Sequence, residues 1–137
     1  MNILPLRLAP GQDLRTALNA ALAAQGVGAA FVLQGIGSLS AARLRLAGAG
    51  QATELHGDIE ILTLAGSLSA DGPHLHMALA DAAGRVLGGH VMAGCIVRTT
   101  AEILLALLPA HTFTREPDAV SGYDELVVRS DAGSHAA

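Results

Sequence analysis

A sheet-dominated α+β domain with one flanking amphipathic helix is the fold this sequence predicts, on three observations. Only the segment after Asp13 carries a helical apolar stripe. From Ala29 onward the apolar period is strand-like and punctuated by glycine. Of 137 residues, 51% are hydrophobic and 2% aromatic, enough for one core built from Leu, Ile, Val and Ala.

The elements follow in order. Residues 3–8 alternate bulky side chains and end at Pro10-Gly11, a strand closed by a turn. Asp13 caps a helix whose Leu14, Ala17, Leu18, Ala21 and Leu22 fall on one face, and Gly26 stops it. Strands are expected at 29–36, 41–47, 58–69, 74–81 and 85–91. Residues 95–108 suit either a long core strand or a strand running into a short buried helix, and we assign strand. Residues 111–119 are polar and contain Pro117, which predicts a surface loop, and 123–129 form a last strand. With no internal repeat and no linker, residues 1–129 make one domain and 130–137 a flexible C-terminal tail.

Composition narrows the function classes. Half-apolar sequence with 15% charged residues excludes disorder and collagen-like structure. A net charge of -4 with no lysine gives no basic face of the kind that supplies most duplex affinity. Cys95 is alone, so neither an intrachain disulfide nor a cysteine-based zinc cluster can form, and a reducing compartment is the simpler expectation. No charged leader precedes a long apolar run, and the longest apolar stretch, 103–110, is too short to span a bilayer. A cytoplasmic protein without a membrane partner is expected.

The chemistry concentrates in 73–90, which holds three of the six histidines. On a strand, His74 and His76 project to one face. Asp81-Ala82-Ala83-Gly84-Arg85 fits a three-residue hairpin loop with Gly84 in the left-handed position, so Asp81 pairs with Arg85. Counting back, His76 lands opposite His90, with facing Cβ atoms roughly 4.5–5.5 Å apart. A two-residue turn instead puts Met77 opposite His90 and breaks the cluster. Three neutral imidazoles on one face suit Zn²⁺ or another divalent transition metal and leave a coordination position open. The competing account is a pair hydrogen-bonded across the hairpin with the third ring exposed.

Other polar residues are less specific. Glu60 and Glu102 each lie between apolar neighbours, as solvent-facing carboxylates or as partners of an imidazole N–H and candidate general bases. Arg115 and Asp118 form a solvated local pair or reach over a pocket. His56 and His111 are placed at strand ends and His135 in the tail. Gly35-Ile36-Gly37-Ser38 lacks the third glycine, the Gly-Lys-Ser/Thr and the following helix of a phosphate loop, and reads as a strand end with close backbone packing. Cys95 is either a nucleophile beside His90 or, as its apolar segment favours, an inert buried thiol. No Ser/His/Asp set is discernible.

In order along the chain, Gly35-Ile36-Gly37-Ser38, 57–67 (Gly-Asp-Ile-Glu-Ile-Leu-Thr-Leu-Ala-Gly-Ser), His74-Leu75-His76 through Gly88-Gly89-His90, 99–103 (Thr-Thr-Ala-Glu-Ile), and Asp118 through Gly122-Tyr123-Asp124-Glu125-Leu126 make a series. Over nearly the whole chain, from Ile3 to about Val127, it resembles the plants-and-prokaryotes conserved (PPC) domain. The resemblance implies a mixed, mainly antiparallel sheet with a flanking helix, assembled as a homotrimer. It also implies a three-histidine metal site, commonly zinc, at His74, His76 and His90. Plant relatives attach AT-hook segments and bind DNA, which is why bacterial members are labelled predicted DNA-binding proteins. This chain has no Arg-Gly-Arg-Pro hook and no lysine, so its charges do not support direct DNA binding.

Three readings result. The first is a homotrimeric metal-binding domain with a regulatory or small-molecule role. The second is a metal-dependent enzyme whose metal-activated water is served by Glu60 or Glu102. A cupin-like oxygenase does not fit, because Met77 to Ala80, where an acid is required, are apolar. The third is a DNA-associated regulator.

Overall fold

The computed structural model describes residues 2–130. Its elements are β1 (Asn2–Leu8), α1 (Leu14–Gln25), β2 (Ala29–Arg45), β3 (Ala52–Ser69), β4 (His74–Ala80), β5 (Val86–Val91), β6 (Ile96–Leu107), β7 (His111–Pro117) and β8 (Asp124–Ser130). Six strands form one sheet in the order β1-β6-β2-β3-β4-β5, and β7 and β8 form a separate ribbon. All ladders between these strands are antiparallel. The single parallel contact among the described residues is the isolated bridge Gly28 to Thr112.

The sheet curls on itself. β2 and β3 are long and bend at irregularities, Leu39/Ala41 on β2 and Ile61/Thr63 on β3. The far end of β2 thereby reaches β5, where Leu44 pairs with Val91 and Arg45 with His90. At this seam β2, β4 and β5 meet.

The helix forms as its sequence dictates. The Asp13 carboxylate accepts from the Thr16 N–H at 3.0 Å and from the Gly94 N–H at 2.6 Å, so one side chain caps α1 and fastens it to the turn between β5 and β6. Such a cap contributes about 1 kcal/mol. Gly26, at φ 64, closes the helix. Leu14, Leu18 and Leu22 are buried and pack on the inner face of the sheet with Leu39, Leu44, Leu64, Leu75, Val91 and Leu105. Residues 96–107 are strand throughout, which resolves the strand-or-helix ambiguity.

Two segments differ from expectation. The strands expected at 29–36 and 41–47 are one strand that ends at Arg45, because irregularities between Gly37 and Ala41 carry the chain on without ending the pairing. A Cβ on Gly37 would strike the Thr100 carbonyl oxygen, the close backbone packing foreseen for this glycine. The expected surface loop 111–119 is instead largely β7. Phe113 is 2% exposed and meets Phe31 edge-on, with ring centroids 5.4 Å apart, and Pro117 sits at the strand's last position, where it removes no interior hydrogen bond. Except for Ser130, which ends β8, the tail expected over 130–137 lies outside the described residues, as does His135. No helix among the described residues is long and apolar enough to cross a membrane.

Candidate metal centre

The site begins at the β4–β5 turn. Gly84, at φ 77, donates its N–H to the Asp81 carbonyl, and the Asp81 N–H bonds to the Arg85 carbonyl at 3.0 Å. The Asp81 carboxylate accepts from the backbone N–H groups of Ala83 and Arg85 and pairs with the Arg85 guanidinium at 2.7 Å, bonds that hold its pKa below the ordinary carboxylate value. A turn so locked fixes the ladder: Ala80 faces Val86, Leu79 Leu87, Met77 Gly89, and His76 His90. This is the register predicted from the three-residue loop.

Leu75, Met77 and Leu79 point into the core, so His74, His76 and His90 share the outer face. One nitrogen from each ring can be chosen such that all lie within 4.8 Å of one another. The Nε2 atoms of His74 and His76 are 3.3 Å apart. Two imidazole nitrogens bound to one tetrahedral zinc stand about 3.3 Å apart, so this spacing already fits an ion. The rings crowd face to edge, with centroids 4.9 Å apart for His74 and His90 and 5.5 Å for His76 and His90.

Close approach of β4 to β3 depends on Gly66, which pairs with Leu75. A Cβ there would strike the His74 carbonyl oxygen and stand 2.8 Å from the Leu75 Cα, and the backbone is at φ 149, a conformation that favours glycine.

Burial, with neighbouring positive charge, disfavours protons on His74 and His90. Partial burial, aided by His74, Arg45, His76 and Arg15, lowers the His90 pKa from 6.5 to about 4. Burial first, then Arg115 and His76, also lowers that of His74, against an opposing pull from Glu125. Neutral imidazoles are the form that binds metal. In the unfolded chain these rings titrate near 6.5, so below that pH the unfolded state binds more protons. The metal-free fold therefore has this contribution in full above pH 6.5 and loses it as pH falls toward about 4. An NMR titration of the metal-free protein should give a His90 midpoint near 4; a midpoint at or above 6.5 contradicts this environment.

A cavity of about 610 Å³ opens over the triad, walled by Arg45 and the turn after it, by Gly88 and Gly89, and by Tyr123, Asp124 and Glu125. The sequence reading missed Arg45 and the Tyr123–Glu125 wall as site residues. The second was detectable in the Tyr-Asp-Glu run that opens the expected last strand. The first depends on the β2–β5 seam, which leaves no local signal.

Glu60 and Glu102 lie elsewhere. Glu60 lines a groove with Ser38 and Thr99, and Glu102 one with Pro5, Arg7 and Ile36. Along β3, Glu60 is five residues from Ala65, the partner of His76, roughly 16 Å of strand. Arg115 and Asp118 form no ion pair. The Arg115 guanidinium bonds Ser67 Oγ at 2.8 Å and the Arg115 backbone N–H donates to the Asp71 carboxylate, while Asp118 accepts from the Val120 N–H. His56 lies inside β3, largely exposed, 3.9 Å from the Glu54 carboxylate, and His111 opens β7. The Cys95 thiol is buried between the N–H and carbonyl of Arg43, and burial pushes its pKa up, as expected of an inert thiol.

Comparison with known proteins agrees with this architecture. The chain is 49% identical over 133 residues to a Synechococcus protein named bifunctional protein GlmU; the match covers 97% of this chain and 21% of that one. It thus spans about a fifth of the length of the curated relatives it matches. A hypothetical protein from Salmonella enterica superimposes with a TM-score of 0.91 at 45% identity, over 94% of each chain. A metal-containing protein from Archaeoglobus fulgidus gives 0.78 at 27% identity, covering 93% of this chain and 94% of the other. The family model of the Plants and Prokaryotes Conserved (PCC) domain, the family abbreviated PPC above, matches residues 1–109. With the curled sheet, the single helix and the register of the series all in place, the chain belongs to the Plants and Prokaryotes Conserved domain family.

Proposed function

We propose that the chain is a homotrimeric metal-binding module that holds one divalent transition ion, zinc foremost, on His74, His76 and His90, and serves a small-molecule or regulatory role. The observation that carries this is the convergence of three imidazoles, with the His74 and His76 nitrogens 3.3 Å apart. The metal-containing relative from Archaeoglobus fulgidus supports it. A bound ion would supply Lewis acidity at its open position, while the imidazoles and the cavity walls set its geometry and access. Glu60 and Glu102 stay outside this site because they line other grooves. The single cysteine, with no disulfide partner, favours a cytoplasmic setting.

Trimer formation is supported by apolar side chains left on the sheet. Ile3, Phe31, Leu33, Ile36 and Leu62 are 38–52% exposed, more than isolated surface residues call for, and copies of the same chain would cover them. Direct DNA binding is disfavoured. Of the eight arginines, Arg43, Arg85, Arg98 and Arg129 are already paired with Glu54, Asp81, Asp58 and Glu116. Elemental analysis of untagged protein purified without chelator, with sedimentation for mass, tests the reading. We expect about one divalent transition ion per chain and a trimer; protein that is metal-free and takes up no added zinc overturns it.

A further inference from the structure

The cavity over the triad holds charge that the imidazoles do not explain. Directly opposed residues of an antiparallel pair share a face, so Arg45, opposite His90, stands on the histidine face. Ser67, opposite His74, shares it too, and its hydroxyl holds the Arg115 guanidinium at 2.8 Å beside that ring. Among the described residues Arg45 has no carboxylate partner. Among the described residues no Asp or Glu oxygen joins the three imidazoles within the 4.8 Å grouping.

Next to His76 and His90 on the same face come Ala78 and Gly88, paired with each other. Of the two, Gly88 lines the cavity, where it leaves an apolar floor beside Leu46 and Ala47 of the turn after β2. Opposite, Asp124 and Glu125 contribute negative charge that opposes a dianion such as phosphate.

We propose that this cavity binds a small organic monocarboxylate, its head between the open side of the triad's ion and the Arg45 guanidinium, its apolar body against Gly88, Leu46 and Ala47. The inference rests on the metal-centre reading and deepens it. Arg45 is free to form charge-assisted bonds, whereas Arg115 is committed to Ser67 and supplies background charge.

The test uses the full chain loaded with Co²⁺, whose visible spectrum reports changes in its coordination. Propionate should shift the spectrum saturably, and neutral propionamide should not. Arg45→Gln should weaken propionate roughly tenfold or more at unchanged cobalt content, and Arg45→Lys less. A loaded chain that ignores propionate, responds equally to propionamide, or is indifferent to Arg45→Gln overturns the proposal and leaves the metal centre standing. So does a stronger response to inorganic phosphate than to propionate. A chain that takes up no cobalt overturns both.

Discussion

Replacing His76 by alanine should reduce metal affinity by more than about a hundredfold while leaving the fold unchanged. Loss of a partner that merely orients a ligand costs ten- to a hundredfold, so loss of a ligand exceeds that. His76 is exposed and stands on the face of β4 opposite the buried Leu75, Met77 and Leu79. Unfolding of metal-free protein should therefore change by no more than about 0.5 kcal/mol. Metal per chain after dialysis, with a urea titration on metal-free samples, checks both halves. Full occupancy in His76→Ala would remove this residue from the ligand set, and a large loss of metal-free stability would show that the ring is structural.

Gly66→Ala should be the most damaging single methyl group in the molecule. The added carbon meets the His74 carbonyl oxygen and the Leu75 Cα, both backbone and neither able to rotate away. The collision and the strained φ should cost about 1–3 kcal/mol. Because β4 must retreat from β3 to relieve it, His74 moves with it, and metal affinity falls although no ligand has been changed. Gly50→Ala, with nothing within 4 Å of the new carbon and no strained φ, is the matched control and should stay within about 0.5 kcal/mol. Urea unfolding with zinc titration separates the outcomes. Equal stability of the two variants would mean that the approach at Gly66 is not tight.

These expectations show what a sequence of this kind discloses. The triad was legible because every step to it is local: alternation puts His74 beside His76, and the Asp81–Arg85 turn chemistry puts His90 opposite. The helix was legible for the same reason, since its stripe, its Asp13 cap and its Gly26 stop lie within a few turns of one another. Arg45 was not legible, because its place comes from a strand that bends and returns to β5 across more than forty residues. Nor was the fate of Glu60 and Glu102. An acid between two apolar residues has the same pattern whether its face holds the site or another groove. β7 was missed because Pro117 and the charged residues read as a loop, whereas the side chain that decides, Phe113, is held by Phe31 on a distant strand.

The β7–β8 ribbon also bears on how long anything stays in the protein. A two-stranded ribbon is marginal alone, and this one is fastened through Phe113 and through the Arg115 bonds to Ser67 and Asp71. It should therefore open at a free energy below that of unfolding the six-stranded sheet. Since its Tyr123–Glu125 end walls the cavity, the residence time of a ligand there should follow the fluctuations of the ribbon, and loosening Phe113 should shorten that time without altering a metal-binding residue.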